Sequence, residues 1–456
     1  MLVGSVIAIY WLQPLLPIRF SDFVFPTVVL NVTMAMWWFS RDPHSPDQIA
    51  SLGEDRLTLI LIVAIMLAVP FTRFLPAEWR ITPSRPPDPL AVLMALVAAS
   101  LVVAGINRLA DGHRQRVLTG AILGIIGLFA ILKTDVLATE ASRMWRSLTG
   151  QDQTLASLID LNWLGFSYIA FRLIHTLRDR QTGILPVLSL REYVTYVIFA
   201  PALVAGPIDR AERFVVDYRA LPNLIGLDAA RFMTGGTRIA IGLFKKFIIA
   251  DTLAYGMSLT VTNAAQAKST IGLWLLLYGY ALRLYFDFSG YTDIAIGLGL
   301  LFGIRLPENF NWPYLKTSLT AFWQSWHMTL GHWARFYVFM PFSRWMLTRR
   351  RRPTSTQIVF IVQIVTMLVI GMWHGVTLSF FVWGLWHGIG LFVHKQWSDR
   401  TRSWYRSLSH QPLQKRAWSI LGWLVTMQFV VLGWVWFALP IDRALQTFGR
   451  LFGLGW

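Results

Sequence analysis

The chain carries one apolar run after another, each of bilayer-crossing length. "RLTLILIVAIMLAVPFTRFL" (56–75), "PLAVLMALVAASLVVAGI" (89–106) and "VLTGAILGIIGLFAIL" (117–132) are three of them. A helix needs about 20 predominantly apolar residues to cross the roughly 30 Å hydrocarbon core, and no soluble fold needs so many such runs. Only 14% of the residues are charged, against about a quarter in soluble domains. The sequence therefore reads as an all-α, polytopic integral membrane protein. Spans are expected near 3–18, 22–39, 57–75, 88–106, 117–137, 157–177, 192–208, 233–255, 271–303, 356–374, 377–394 and 417–439. They leave no polar stretch large enough for a soluble domain, so 1–456 is read as a single membrane-embedded unit. The opening "MLVGSVIAIYWLQPLLPI" has no charged leader and no small-residue cleavage site, and reads as a retained first span.

Charge and cysteine usage narrow the chemistry. The net charge is +17, from 41 basic and 24 acidic residues. In a membrane protein this excess marks cytoplasmic loops and anionic headgroups. A sharper reading is a docking surface for an acidic soluble partner, such as a carrier protein or a phosphorylated cofactor, with Arg349, Arg350, Arg351 and Arg352 as its densest part and the basic residues of 395–416 as a second. The basic residues lie between spans and form no separate module, so nucleic acid is not an expected partner. There are no cysteines, which excludes disulfides, thiolate metal sites and a cysteine nucleophile.

The two basic clusters also predict topology. The apolar stretch 356–394 between them would be about 58 Å long as one helix, roughly twice the hydrocarbon thickness. It is expected to fold as a hairpin that returns to the same face and turns near "WHGVT", which places His374 at or beyond mid-membrane depth.

Ionisable residues inside apolar spans are costly and usually have a task. Arg283, Asp287, Asp293, His327, His332, Arg335, His374 and His387 are the candidates. Arg283 and Asp287, at i and i+4, are expected to pair on one helix face. Ser289 and Gly290 would let that helix bend or break. His374 in "GMWHG" and His387 in "GLWHG" stand in near-duplicate contexts, where a following glycine permits close approach of a helix or ligand. No acidic residue is near either histidine in sequence and no H-x-x-x-H pattern occurs, so no metal site is expected.

"YFDFSGYTDIAIG" (285–297), "PENFNWPY" (307–314), "FWQSWHMTL" (322–330) and the paired "WHG" motifs closely resemble, in order and spacing, the signature of the membrane-bound O-acyltransferase (MBOAT) family. The similarity is to the bacterial branch that acetylates alginate or transfers D-alanine to teichoic acids. "APALVAGPIDRAERF" (200–214) and "GWVWFALPIDRALQTF" (433–448) resemble two further family segments. The chain departs from the pattern at "LNWLGFSYIAF" (161–171), at Phe336 and at Ala438.

The resemblance implies a helical bundle with a tunnel through the membrane core. It implies catalytic roles for His374 and His327, and places Asp287, Asn309, Trp326, Arg335 and Trp373 beside the substrate. It further implies a thioester donor, on coenzyme A or on a carrier protein's phosphopantetheine arm, with no permanently bound cofactor. Membrane lipids and an extracytoplasmic acyltransferase- or esterase-like protein are the implied partners. An imidazole suits removal of a hydroxyl proton near neutral pH. The lack of cysteine and of a G-x-S-x-G elbow favours direct transfer over an acyl-enzyme. His387 is read as a structural residue. A transporter or a scaffold for acyl groups or lipids is the alternative function.

Overall fold

The computed structural model describes residues 1–42, 45–109, 112–223 and 228–455. Every regular element among the described residues is helical. Among the described residues six helices are long and apolar enough to cross a membrane: Ser21–Ser40, Leu52–Phe74, Pro89–Arg108, Arg114–Lys133, Ser355–His374 and Pro412–Ala438. Only 11% of the apolar stretch of Pro89–Arg108, and the same share of Arg114–Lys133, is buried in the protein. The rest is a surface suited to lipid.

Three expected spans are corrected. The first helix covers only Leu2–Leu12, because Pro14 and Pro17 stop its continuation. The run at 157–177 opens with a 3-10 turn, Leu158–Leu161, and forms an α-helix only from Phe166, as Phe166–Gln181. The run at 192–208 yields the short helix Leu190–Val197 and a 3-10 turn, Ala200–Ala202, since Pro201, Gly206 and Pro207 cannot propagate a helix. The polar backbone freed there is met from inside the protein. Arg172, buried in Phe166–Gln181, donates to the carbonyls of Val197 at 2.7 Å and Ala202 at 2.6 Å.

The chain packs as two compact units: Met1–Met233 with Leu298–Leu306, and Thr234–Gly297 with Pro307–Trp456. In the first, the "GPIDRAERF" segment docks on the helix Phe166–Gln181. The His175 ring approaches Asp179 at 3.3 Å through Nδ1, and its Nε2 accepts from the Ala211 N–H at 3.1 Å. Arg210 bridges Asp179 and Glu212 at 3.1 and 2.6 Å. His175, Asp179 and Glu212 lie close enough to hold a metal ion, but Arg210 already supplies the positive charge and both ring nitrogens are engaged.

In the second unit, lipid tails are as apolar as leucine, so helices associate through close packing of small residues. The helix Thr270–Leu301 runs unbroken through Ser289 and Gly290. Gly290 is used for approach, not bending. A Cβ there would lie 2.8 Å from the Gly242 carbonyl, and one at Gly242 would lie 2.6 Å from that of Gly290. The expected hairpin is present. A capping box at Thr354 and Gln357 opens the helix Ser355–His374. An extended Gly375 ends it, and Thr377 caps the returning helix Leu378–Ser407. Gly371 and Gly384 let the two arms touch, since Cβ atoms there would meet the carbonyls of Phe380 at 2.5 Å and Met367 at 2.8 Å.

Candidate active site

The site is assembled in the second unit from three chain segments. The first is the irregular "PENFNWPY" stretch. Glu308 is fixed by Arg238, whose guanidinium donates to it at 2.9 and 2.5 Å and to buried Asp293 at 2.6 Å. Lys245 donates to the other oxygen of Asp293 at 2.6 Å. This network ties the stretch to the helix Ala229–Leu243 and places the next residue, Asn309, in full burial.

Asn309 organises the second segment. Its backbone carbonyl accepts from the Met328 N–H at 2.9 Å. Its side-chain oxygen accepts from the Thr329 hydroxyl at 2.7 Å and the Thr329 N–H at 3.2 Å. The same oxygen lies 3.2 Å from Nδ1 of His327. These bonds hold His327 at φ 44° and ψ 53°, in the left-handed region, immediately before the helix Met328–Ala334. Such a conformation costs on the order of 1–3 kcal/mol outside glycine and is kept only where surroundings impose it. Trp312, in the same stretch, is the second of three non-glycine residues with positive φ among those described.

The tautomer follows from these contacts. An oxygen that takes a backbone N–H is an acceptor, so His327 Nδ1 must be the donor to it. Nε2 of the neutral ring then carries a lone pair. That nitrogen is buried and has no hydrogen-bond partner among the described residues. Phe288 stands edge-on to the ring at 4.7 Å.

The third segment is the hairpin. His374 ends the outgoing arm, half-buried among Trp373, Phe380, Trp383 and Phe437, with ring centroids 4.5–5.8 Å away. Trp373 also meets His327, at 5.9 Å. Two histidines 47 residues apart thus share one tryptophan and lie within electrostatic reach of each other.

The remaining expected site residues fall differently. Trp326 is buried against Phe310, Phe322 and Trp434, and Phe310 and Phe288 link its ring to that of His327. Asp287 does not pair with Arg283. Its carboxylate takes Lys246 at 2.5 Å, while Arg283 donates to Ser258 at 3.2 Å. A cation on a packed neighbouring helix outcompetes the local i, i+4 partner. Arg335 opens a π-helical turn and is exposed. His387 is fully buried, accepts from Trp323 Nε1 at 3.3 Å and is ringed by aromatics. Arg349–Arg352 are exposed, with Arg349 lying 3.7 Å over the Trp345 ring. Arg238, Lys245 and Lys246 were legible as charges inside the apolar run 233–255, and the intramembrane rule that singled out Asp293 applies equally to them.

Fold and site together define a multi-pass helical membrane protein in which two histidines meet one tryptophan. The sequence model of MBOAT, the membrane-bound O-acyltransferase family, matches residues 114–435. The chain belongs to that family. A peptidoglycan O-acetyltransferase of Helicobacter pylori is 32% identical over 73% of this chain and 64% of its own length. A teichoic acid D-alanyltransferase of Streptococcus thermophilus is 32% identical over 61% of this chain and 68% of its own. A probable alginate O-acetylase of Pseudomonas syringae pv. tomato is 33% identical over 64% of this chain. The chain spans 51% of that last protein, so it covers about half to two thirds of these relatives.

Proposed function

We propose that the protein moves an acyl group, acetyl or D-alanyl in type, from a thioester to a hydroxyl of an extracytoplasmic polysaccharide or lipid-linked glycan. The donor is a cytoplasmic coenzyme A thioester or a carrier protein's phosphopantetheine thioester. The observation that carries this reading is the convergence of His327 and His374 on Trp373, within a family whose relatives are named for acyl transfer to envelope polymers.

His374 is the general base. It takes the hydroxyl proton as the oxygen bonds to the thioester carbon. The C–S bond then breaks, and the proton passes to the departing sulfur. His327 contributes its fixed Nε2 lone pair, which positions the acceptor hydroxyl by taking a hydrogen bond from it or relays its proton. Asn309 and Trp373 hold the two rings in place. Such orientation supplies much of what an enzyme gains by converting an encounter into a positioned reaction. The acceptor is presented with the help of an extracytoplasmic acyltransferase- or esterase-like protein.

The test is thiol release. Purified protein in vesicles, given a labelled thioester and an acceptor glycan, is expected to release one free thiol per acyl group transferred. His374→Ala is expected to lower both by about 10²–10⁴-fold while keeping wild-type helicity. A thioester that stays intact while the acyl label crosses the membrane would identify a transporter instead. Unchanged turnover by the folded variant would leave the protein a scaffold.

A further inference from the structure

One cavity in the second unit has a lining separate from the histidine pair. It is a groove of about 1040 Å³ between the helices Leu378–Ser407 and Pro412–Ala438, above the range of roughly 300–1,000 Å³ typical of small-molecule sites. Its lining along the first helix recurs every third or fourth residue from Trp386 to Arg406, a continuous stripe about 30 Å long. A lipid in one leaflet needs about 20–22 Å, half of the 40–45 Å bilayer with its headgroups. The stripe is long enough.

The groove changes character along its length as a leaflet does. One end is walled by Ile389, Val393, Val425 and Phe429. Val393 and Val425 are 59% and 60% exposed, so this end opens sideways onto the surroundings of the helices. At the other end Trp418 packs against Trp397 at 6.2 Å and Trp404 at 5.0 Å. Clustered tryptophans mark the headgroup level of membrane proteins. At this same end, Arg402 and Arg406 both line the groove and are both exposed.

These two arginines stand at i and i+4, where like charges oppose each other. No carboxylate lines the groove, and neither arginine has an ion-pair partner among the described residues. Asp399, one turn before Arg402, is bonded by Lys395 at 2.6 Å and attracts Arg402 only through space. Two adjacent guanidiniums presented together are matched by a phosphate group. An apolar, laterally open trough ending in such a pair suits a ligand with hydrocarbon tails and an anionic head.

We propose that this groove binds one anionic glycerophospholipid, with its phosphate on Arg402 and Arg406 and its acyl chains along the wall of Ile389, Val393 and Val425. Occupancy cements the returning arm of the histidine-bearing hairpin to Pro412–Ala438. The proposal is independent of the acyl-transfer reading.

Native mass spectrometry of the full chain in neutral detergent, titrated with phosphatidylglycerol or phosphatidylcholine, tests it. Wild type is expected to bind one phosphatidylglycerol at least tenfold more tightly than phosphatidylcholine. R402Q/R406Q is expected to weaken that binding by about fivefold per arginine. The quadruple variant R349Q/R350Q/R351Q/R352Q is expected to leave it unchanged. V425W, at an exposed wall position, is expected to block binding without touching either charge. Equal affinity for the two lipids would overturn the proposal. So would an equal loss in the quadruple variant, which would show diffuse charge attraction, or stoichiometric displacement by coenzyme A, which would assign the groove to the donor.

Discussion

The side-chain oxygen of Asn309 fixes which nitrogen of His327 carries the proton. It takes both donors of Thr329, so it can only accept from His327 Nδ1, 3.2 Å away. Nε2 is left as a buried lone pair. Asn309→Ala would remove the acceptor shared by three buried donors, and a buried donor costs about 1–3 kcal/mol when unpaired. The expected outcome is a lower unfolding temperature in detergent together with at least a tenfold loss of transfer. Thermal unfolding and single-turnover transfer of a labelled thioester measure the two effects. A wild-type transfer rate in the variant would show that the tautomer does not matter.

The contrast between Asn309 and the hairpin shows what a sequence can and cannot disclose. The hairpin follows from length alone: 356–394 is twice too long for one span, and Gly375 and Thr377 stand where it must turn. The left-handed His327 follows from nothing local. It is imposed by Asn309, 18 residues earlier, which is in turn placed by Glu308 on Arg238, 70 residues away. Asp287 teaches the same lesson. Its sequence neighbour Arg283 offered a partner, and Lys246, 41 positions upstream, took its place because the glycine contact at Gly242 and Gly290 brings the two helices together.

Arg238 and Glu308 act on the site from a distance. Neither touches a histidine, yet their fork holds the stretch that carries Asn309. Arg238→Ala and Glu308→Ala are each expected to lower kcat more than they change KM, since both loosen the same stretch. The double variant is expected to be little worse than either single one. Residues in one ion-pair network show coupling of about 0.5–3 kcal/mol. Strictly additive losses in a double-mutant cycle would mean that the ion pair does not position Asn309.

The arginines Arg349–Arg352 precede the helix Ser355–His374, whose 20 residues separate them from His374 by about 30 Å. A role in holding an anionic donor therefore concerns its phosphates, not the reacting carbon. Replacing all four by glutamine is expected to raise KM for the donor and leave kcat nearly constant. Added salt is expected to mimic the change, because exposed charges are screened within about 8–10 Å near physiological ionic strength. Initial rates at graded salt provide the measurement, with topology checked by labelling single cysteines introduced into the cysteine-free chain. A salt-insensitive KM with normal topology would reject the docking role.

His327 and His374 are separable by glutamine, which keeps a hydrogen-bonding group but cannot serve as a base near neutral pH. His327 contributes an acceptor at a fixed point, and a glutamine side-chain oxygen can supply one. His327→Gln is therefore expected to retain measurable transfer. His374 sits half-buried at the end of its helix, with Trp373, Phe380 and Phe437 around it. There it must take up and return a proton, which an amide cannot do. His374→Gln is expected to match His374→Ala, at about 10²–10⁴-fold below wild type. Single-turnover transfer by each purified variant decides between the roles. Equal and complete loss in both glutamine variants would mean that the two rings, joined through Trp373, work as one proton-handling unit, and the separate assignments would fall.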